Sequence, residues 1–205
     1  RVIAIGNEPD GENINADCGA LHPHHVQRLV RETGADIGIA LDGDADRVIL
    51  VDETGEIVDG DAILAIAAQE KLNNGGLPHN TLVATVMSNL GLEVALRGMG
   101  GKLVRTAVGD RYVVEEMLRG GYTLGGEQSG HVVFLDANTT GDGIITFLSL
   151  LAVMVRRQRH LSELKQVMQR YPQKLINVKV RERRDLSSVE PVAQTMQRVT
   201  DALGD

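Results

Sequence analysis

The sequence predicts an α/β protein made of consecutive α/β units with mixed, largely parallel sheets. Short apolar runs rich in β-branched residues alternate with segments whose apolar residues recur at helical spacing. Clusters of Gly, Asn and Asp fall at the joints between them. Of the 205 residues, 42% are hydrophobic, enough for a sizeable core in one or two domains.

Taken in order, residues 2–5 read as a strand, followed by a polar Gly/Asn/Asp loop. Residues 24–32 read as a helix, with Val26, Leu29 and Val30 on one face and Gly34 as its stop. Ile37–Leu41 and Val48–Asp52 are predicted strands flanking an acidic loop, and Glu53-Thr54-Gly55-Glu56 turns the chain into Ile57-Val58. A second unit opens at Asp59-Gly60-Asp61. Either aspartate can cap the helix carrying Ile63, Leu64, Ile66 and Ala67, which ends at Asn73-Asn74-Gly75-Gly76. Strands follow at 81–87, 102–106, 122–124 and 132–135, with helices at 90–96 and 111–118. The long apolar helix at about 142–156 is the spine of this unit. After 162–170, Pro172 punctuates the chain, and a strand at 175–180 and a helix at 188–203 open a third unit. The expected units are therefore 1–58, 59–171 and 172–205. The chain starts in strand-like sequence without Met, which suggests a piece of a longer protein.

Several classes are excluded early. A net charge of −7 argues against a general nucleic-acid or anionic-membrane surface, so a phosphorylated ligand would need a local cation or loop. Cys18 is the only cysteine, which leaves no disulfide framework and no thiolate metal site and fits a reducing, cytoplasmic setting. The longest apolar run, 144–155, is too short to span a bilayer, and no signal peptide is visible.

Chemistry concentrates in two loops. Asp42-Gly43-Asp44-Ala45-Asp46-Arg47 places three carboxylates in five residues between strands. Their repulsion is resolved if alternate carboxylates converge on a hard divalent cation, Mg²⁺ first. An EF-hand calcium loop fails, because Arg47 stands at its required glycine and the flanks are strands. A solvated acidic turn is the plain alternative; the adjacent Arg and the flanking strands count against it. Such a cation beside Arg47, which can hold a phosphate in a bidentate contact, is equipment for phosphoryl transfer.

The second loop is Gly125-Gly126-Glu127-Gln128-Ser129-Gly130-His131. Glu and Ser suit neighbouring sugar hydroxyls, and His can move a proton near neutral pH. Two other features carry less. Asp110, where a strand meets a helix, reads first as a helix cap. His22-Pro23-His24-His25 invites a metal reading, but neighbouring histidines at a helix start are expected to point apart into solvent. Ser129 lacks a G-x-S-x-G context, which argues against a hydrolase nucleophile.

With these loops in view, the sequence resembles the α-D-phosphohexomutase superfamily over essentially its whole length. The resemblance rests on Asp42-Gly43-Asp44-Ala45-Asp46-Arg47, Thr106-Ala107-Val108-Gly109-Asp110-Arg111-Tyr112-Val113, Gly126-Glu127-Gln128-Ser129-Gly130-His131 and Asn138-Thr139-Thr140-Gly141-Asp142-Gly143. Gln128 and the Gly-Asp-Arg-Tyr-Val run point to the branch that interconverts glucosamine 6-phosphate and glucosamine 1-phosphate for amino-sugar nucleotide synthesis. The resemblance implies a phosphoserine, a bisphosphorylated intermediate and one Mg²⁺, primed by a sugar 1,6-bisphosphate or by prior serine phosphorylation. It implies Asp42, Asp44 and Asp46 as metal ligands and Arg47 as the phosphate contact. It also implies Glu127, Gln128, Ser129, Asp110 and Arg111 at the substrate, with His131 as a proton carrier.

The implied fold is that of the family's second and third domains, with 1–58 the later part of domain 2, 59–171 domain 3, and 172–205 the start of domain 4. The phosphoserine loop and the phosphate-clamping loop would then lie outside this chain, so the segment alone is expected to be inactive. The implied partner is a phosphorylated hexosamine, without nucleic acid or membrane, and a homodimer of the parent protein is compatible with it. Two rivals stand: a phosphomannomutase or phosphoglucomutase with the same metal loop, and a noncatalytic metal- or sugar-phosphate-binding module.

Overall fold

Val48, Ile49, Leu50 and Val51 form an unbroken apolar run, and all of them are buried. A strand apolar on both faces belongs in the middle of a sheet, and a computed structural model of the chain shows it there. The structure describes residues 1–176, 178–182 and 185–203. It divides into two units, Arg1–Pro172 and Gln173–Asp205.

In the first unit, helix α1 (His24–Thr33) leads into β1 (Ile37–Leu41), β2 (Val48–Asp52) and β3 (Ile57–Val58), an antiparallel sheet in the order β1-β2-β3. α1 packs closely on β1. A Cβ on Gly38 would lie 2.5 Å from Val26 Cγ1 and 2.8 Å from Val30 Cγ2, so only glycine admits the helix there.

Helix α2 (Gly60–Asn73) is capped by Asp59, which accepts from the Ala62 N–H at 3.1 Å. Asp61, the other candidate cap, is instead fully buried and accepts from the Asn89 N–H at 2.8 Å. Beyond it come β4 (Thr81–Thr85), α3 (Leu90–Gly98), β5 (Lys102–Thr106), α4 (Asp110–Gly120), β6 (Leu124–Gly126), β7 (Val132–Phe134), α5 (Gly143–Arg157) and the short α6 (Leu161–Leu164). Their sheet runs β5-β4-β6-β7, with β4 parallel to β5 and β6, and β7 antiparallel to β6. Alternation along β4 serves both faces. Leu82 and Ala84 join a large core with α2, α3 and α5, and Val83 packs with Val113, Met117 and Val133 beneath α4. Val48, Leu50 and Val58 belong to that same large core, so the segments on either side of residue 58 share one apolar interior.

Buried charges tie the edges of this unit. Glu70 meets Arg156 at 3.2 Å and Arg157 at 2.8 Å, joining α2 to the end of α5. Asp52 is fully buried, takes a 2.5 Å contact from Lys165 and accepts from the Thr54 hydroxyl and the Glu56 N–H. Burial alone would push its carboxyl up, but Lys165 and these donors hold it below the usual range. A depressed carboxyl contributes stability that is present above its unfolded value of about 4 and is lost as pH falls through its lower folded value. Urea midpoints from pH 6 down to 2.5 are therefore expected to fall more steeply for the native chain than for Asp52→Asn. Parallel slopes would contradict this.

One expectation changes in this unit. Residues 2–5 form no strand; Val2 is 92% exposed, and none of the described strands pairs with them. Residues 161–167, to which the sequence assigned no element, form α6 and a 3₁₀ turn at Lys165–Val167. Parallel pairing is confined to β4, β5 and β6, because the acidic loop and the turn after β2 are too short for the crossover that parallel neighbours require.

In the second unit, a 3₁₀ turn at Leu186–Ser188 precedes α7 (Glu190–Leu203). The strand expected at 175–180 does not form among the described residues, and Asn177, within it, lies outside them. Residues 204 and 205 of the expected third unit also lie outside them.

Candidate functional site

The acidic loop joins β1 to β2, and Asp42 shapes it from within. Its Oδ1 accepts from the Arg47 N–H at 3.1 Å, and its carbonyl accepts from the Ala45 N–H at 3.2 Å. Ala45 takes a left-handed φ of 59°, which turns the chain between Asp44 and Asp46. One oxygen from each of Asp42, Asp44 and Asp46 then lies within 4.8 Å of the others. Arg47 Nε sits 3.5 Å from both Asp42 and Asp46, while its side chain stays 45% exposed. It bridges two carboxylates and still faces solvent.

Asp46 bears the cost of the arrangement. Burial first, then a hydrogen bond with Asp42 and the neighbouring negative charges, raise its carboxyl above the usual range, against the pull of His131. Its Oδ1 is buried without a hydrogen-bond donor among the described residues. A divalent cation at this oxygen-only cluster would satisfy that atom and remove the repulsion, so the three aspartates fit Mg²⁺.

The Gly-rich loop between β6 and β7 is built onto this hairpin. Glu127 N–H donates to the His131 carbonyl at 2.8 Å and Gly130 N–H to the Glu127 carbonyl at 3.1 Å, closing a tight turn. Gly130 adopts φ 95°, and a Cβ there would overlap the Val48 carbonyl oxygen. The contact is that close because Val48 N–H donates to the Gly130 carbonyl at 3.1 Å and Arg47 pairs with His131 in an antiparallel bridge. His131 is only 2% exposed, with Nδ1 3.1 Å from Asp46 Oδ2.

Two further segments complete the frame. Gly143 N–H, at the start of α5, donates to the Ala45 carbonyl at 2.8 Å, and a Cβ on nearby Gly141 would come within 2.5 Å of the His131 ring. Gly60 N–H donates to the Gln128 carbonyl at 3.1 Å, and a Cβ there would lie 2.8 Å from the Gly130 nitrogen. Glu127 accepts from the Gly109 N–H at 3.0 Å and from the Ser129 hydroxyl at 3.3 Å, which brings the loop before α4 to the same place.

The structure thus brings together Asp42, Asp44, Asp46, Arg47, Glu127, Gln128, Ser129 and His131. Asp110 begins α4, but Gly109 holds the cap position and no side chain caps that helix. Arg111 is exposed and pairs with Glu115 on its own helix at 2.7 Å. Sequence reasoning gave His131 a proton-transfer role and overlooked Gly60, since crowding between distant backbones leaves no local signal. It also expected the histidines at 22–25 to diverge, whereas His22, His24 and His25 all face Asp17 within 3.9 Å.

Residues 59–171 match the family described as phosphoglucomutase/phosphomannomutase, alpha/beta/alpha domain III, and residues 2–55 match domain II. A phosphoglucosamine mutase of Geobacter sp. (strain M21) is 60% identical over 203 residues, covering 99% of this chain and 45% of the relative. Another, from Syntrophotalea carbinolica, is 58% identical over 205 residues, covering the whole chain and 45% of the relative. The chain therefore spans about half the length of the curated relatives it matches. Among solved structures, a phosphoglucomutase/phosphomannomutase family protein from Burkholderia thailandensis superposes with a TM-score of 0.65 at 29% identity, over 72% of this chain and 32% of that one. An N-acetylphosphoglucosamine mutase from Aspergillus fumigatus, solved with GlcNAc-6P and magnesium, shares the fold at a TM-score of 0.62 and 23% identity, over 82% of this chain and 40% of that one.

Proposed function

Because the chain belongs to the phosphoglucomutase/phosphomannomutase family, we propose that it supplies the metal-binding and sugar-binding sections of a phosphoglucosamine mutase. The reaction is the interconversion of glucosamine 6-phosphate and glucosamine 1-phosphate through a phosphoserine and a bisphosphorylated sugar. The observation that carries this reading is the joining of two loops into one surface, through the Arg47–His131 bridge and the His131–Asp46 contact, the latter between residues 85 apart in sequence. In this reading 1–58 is the later part of the second family domain, 59–171 the third, and 172–205 the opening of the fourth.

Asp42, Asp44 and Asp46 would hold Mg²⁺, which when bound neutralises charge on a phosphoryl group. Arg47, bridging two of those carboxylates with its guanidinium partly exposed, is placed to contact a phosphate. Glu127 and Ser129 face one another at 3.3 Å and would exchange that contact for the hydroxyls of the sugar. Gln128 is tied to Gly60 by its backbone, which leaves its amide for the substrate. Asp110 and Arg111, on the helix that follows Gly109, would meet the outer side of the sugar. His131 has little exposure, and its contact with Asp46 suits it to orient that ligand rather than to visit the substrate. No helix of the described residues is long and apolar enough to cross a membrane, and a cytoplasmic location suits a phosphorylated sugar substrate.

The test uses a full-length family member carrying this segment, assayed with Mg²⁺, a sugar 1,6-bisphosphate primer, and glucosamine, glucose and mannose 6-phosphates. Preference for glucosamine 6-phosphate is expected. Preference for glucose or mannose 6-phosphate would overturn the substrate assignment, and absence of turnover from a folded, Mg²⁺-binding protein would favour a binding module. In the same assay Glu127→Ala is expected to lower kcat/KM about 10- to 100-fold, the loss of one charged hydrogen bond of roughly 1.5–3 kcal/mol.

A further inference from the structure

The run His22-Pro23-His24-His25 takes no part in the chemistry above, yet its side chains are gathered. Asn15 and Asp17 adopt left-handed φ values of 57° and 52°, and the turn they make carries the Asp17 carboxylate back to the start of α1. The segment that follows the turn is pinned: His22 N–H donates to the Gly19 carbonyl and Ala20 N–H to the Leu41 carbonyl, each at 3.0 Å. His24 Nε2 lies 3.5 Å from Asp17 Oδ1, and His22 Nδ1 lies 3.9 Å from the same oxygen. One ligand atom from each of Asp17, His22 and His24 falls within 4.8 Å of the other two.

We propose that Asp17, His22 and His24 form a second metal site, chemically distinct from the acidic loop and suited to a zinc-class divalent ion. Two imidazole nitrogens and one carboxylate favour borderline late transition metals, whereas Mg²⁺ prefers an all-oxygen shell. A tetrahedral shell with bonds of about 2.0–2.2 Å separates its ligand atoms by about 3.3–3.6 Å. The His24–Asp17 spacing already meets this, and His22 closes the remainder by a small rotation of an exposed ring. Three protein ligands leave a fourth position for water.

His25 has a different part. Its Nε2 lies 3.1 Å from Asp17 Oδ2, and Arg28 Nη2 lies 3.2 Å from its Nδ1. A guanidinium only donates, so Nδ1 is the acceptor and Nε2–H donates to Asp17. His25 therefore orients the carboxylate from outside the shell. Metal binding would tie residues 17–22 to the start of α1.

Co²⁺, read by its visible absorption, and Zn²⁺, read by competition with a chromophoric chelator, test the site on the 205-residue chain without an affinity tag. Excess Mg²⁺ keeps the acidic loop occupied. The expected result is one Co²⁺ or Zn²⁺ per chain with tetrahedral Co²⁺ absorption. His22→Ala and His24→Ala should each weaken binding by at least about 100-fold, and His25→Gln by about 10-fold, the range of an outer-shell partner. Asp17→Asn, which keeps the shape of the loop, should also weaken binding strongly and guards against a misfolded variant. Asp44→Ala should leave this site intact. The proposal is overturned if Co²⁺ fails to bind, if Mg²⁺ displaces it, if Asp44→Ala abolishes it, or if the histidine and Asp17 variants retain it.

Discussion

Asp44→Ala is expected to lower the Mg²⁺ affinity of the acidic loop by at least about 100-fold, more than the 10- to 100-fold typical of an outer-shell change. Stability without metal should stay within about 0.5 kcal/mol of the native chain, as for an exposed surface position. The two halves of this result separate ligation from architecture. Asp42 shapes the loop by accepting from Arg47, and Asp46 contacts His131, so replacing either perturbs structure as well as charge. Asp44 is exposed, and its charge is among the causes that raise the Asp46 carboxyl, so its removal relieves repulsion and any stability change is upward in sign. Calorimetric titration with Mg²⁺ and urea unfolding in chelator measure the two quantities on one preparation. An unchanged affinity would reduce the loop to a solvated acidic turn.

Gly130→Ala is expected to cost about 2–5 kcal/mol of stability, combining a left-handed backbone with forced overpacking. At φ 95° the added methyl would overlap the Val48 carbonyl oxygen and sit 2.9 Å from its carbon, and neither backbone can rotate away as a side chain would. Relief requires breaking the Val48–Gly130 hydrogen bond, and with it the Arg47–His131 bridge that holds the sugar-side loop against the metal-side hairpin. Metal affinity should therefore fall in any fraction that still folds, because His131 no longer braces Asp46. Ser129→Ala, one residue away but exposed, should stay within about 0.5 kcal/mol in the same urea titration. Equal effects from the two substitutions would show that loop composition, not the close approach at residue 130, governs stability.

Much of the local structure is legible in the sequence. Ile37–Leu41, Val48–Asp52 and Lys102–Thr106 form strands where their composition places them, and helices α1 to α5 fall within about two residues of their predicted spans. The strands expected at 2–5 and 175–180 were not legible in the same way. An apolar run becomes a strand only where a partner supplies hydrogen bonds, and the described residues supply none for either segment.

The candidate site divides along the same line. Asp42, Asp44 and Asp46 are close because they are neighbours in sequence, so their spacing within a short turn between strands already pointed to a shared cation. The sequence alone therefore determined the order of the elements, the acidic loop and the polar content of the Gly-rich loop, all of which depend on residues a few positions apart. The tertiary structure alone decided that His131 faces Asp46, that Gly60, Gly130, Gly141 and Gly143 lie where backbones or rings touch, and that the histidines at 22–25 converge on Asp17. Those contacts depend on how the sheets, helices and loops pack, and packing joins residues whose separation along the chain carries no local signal.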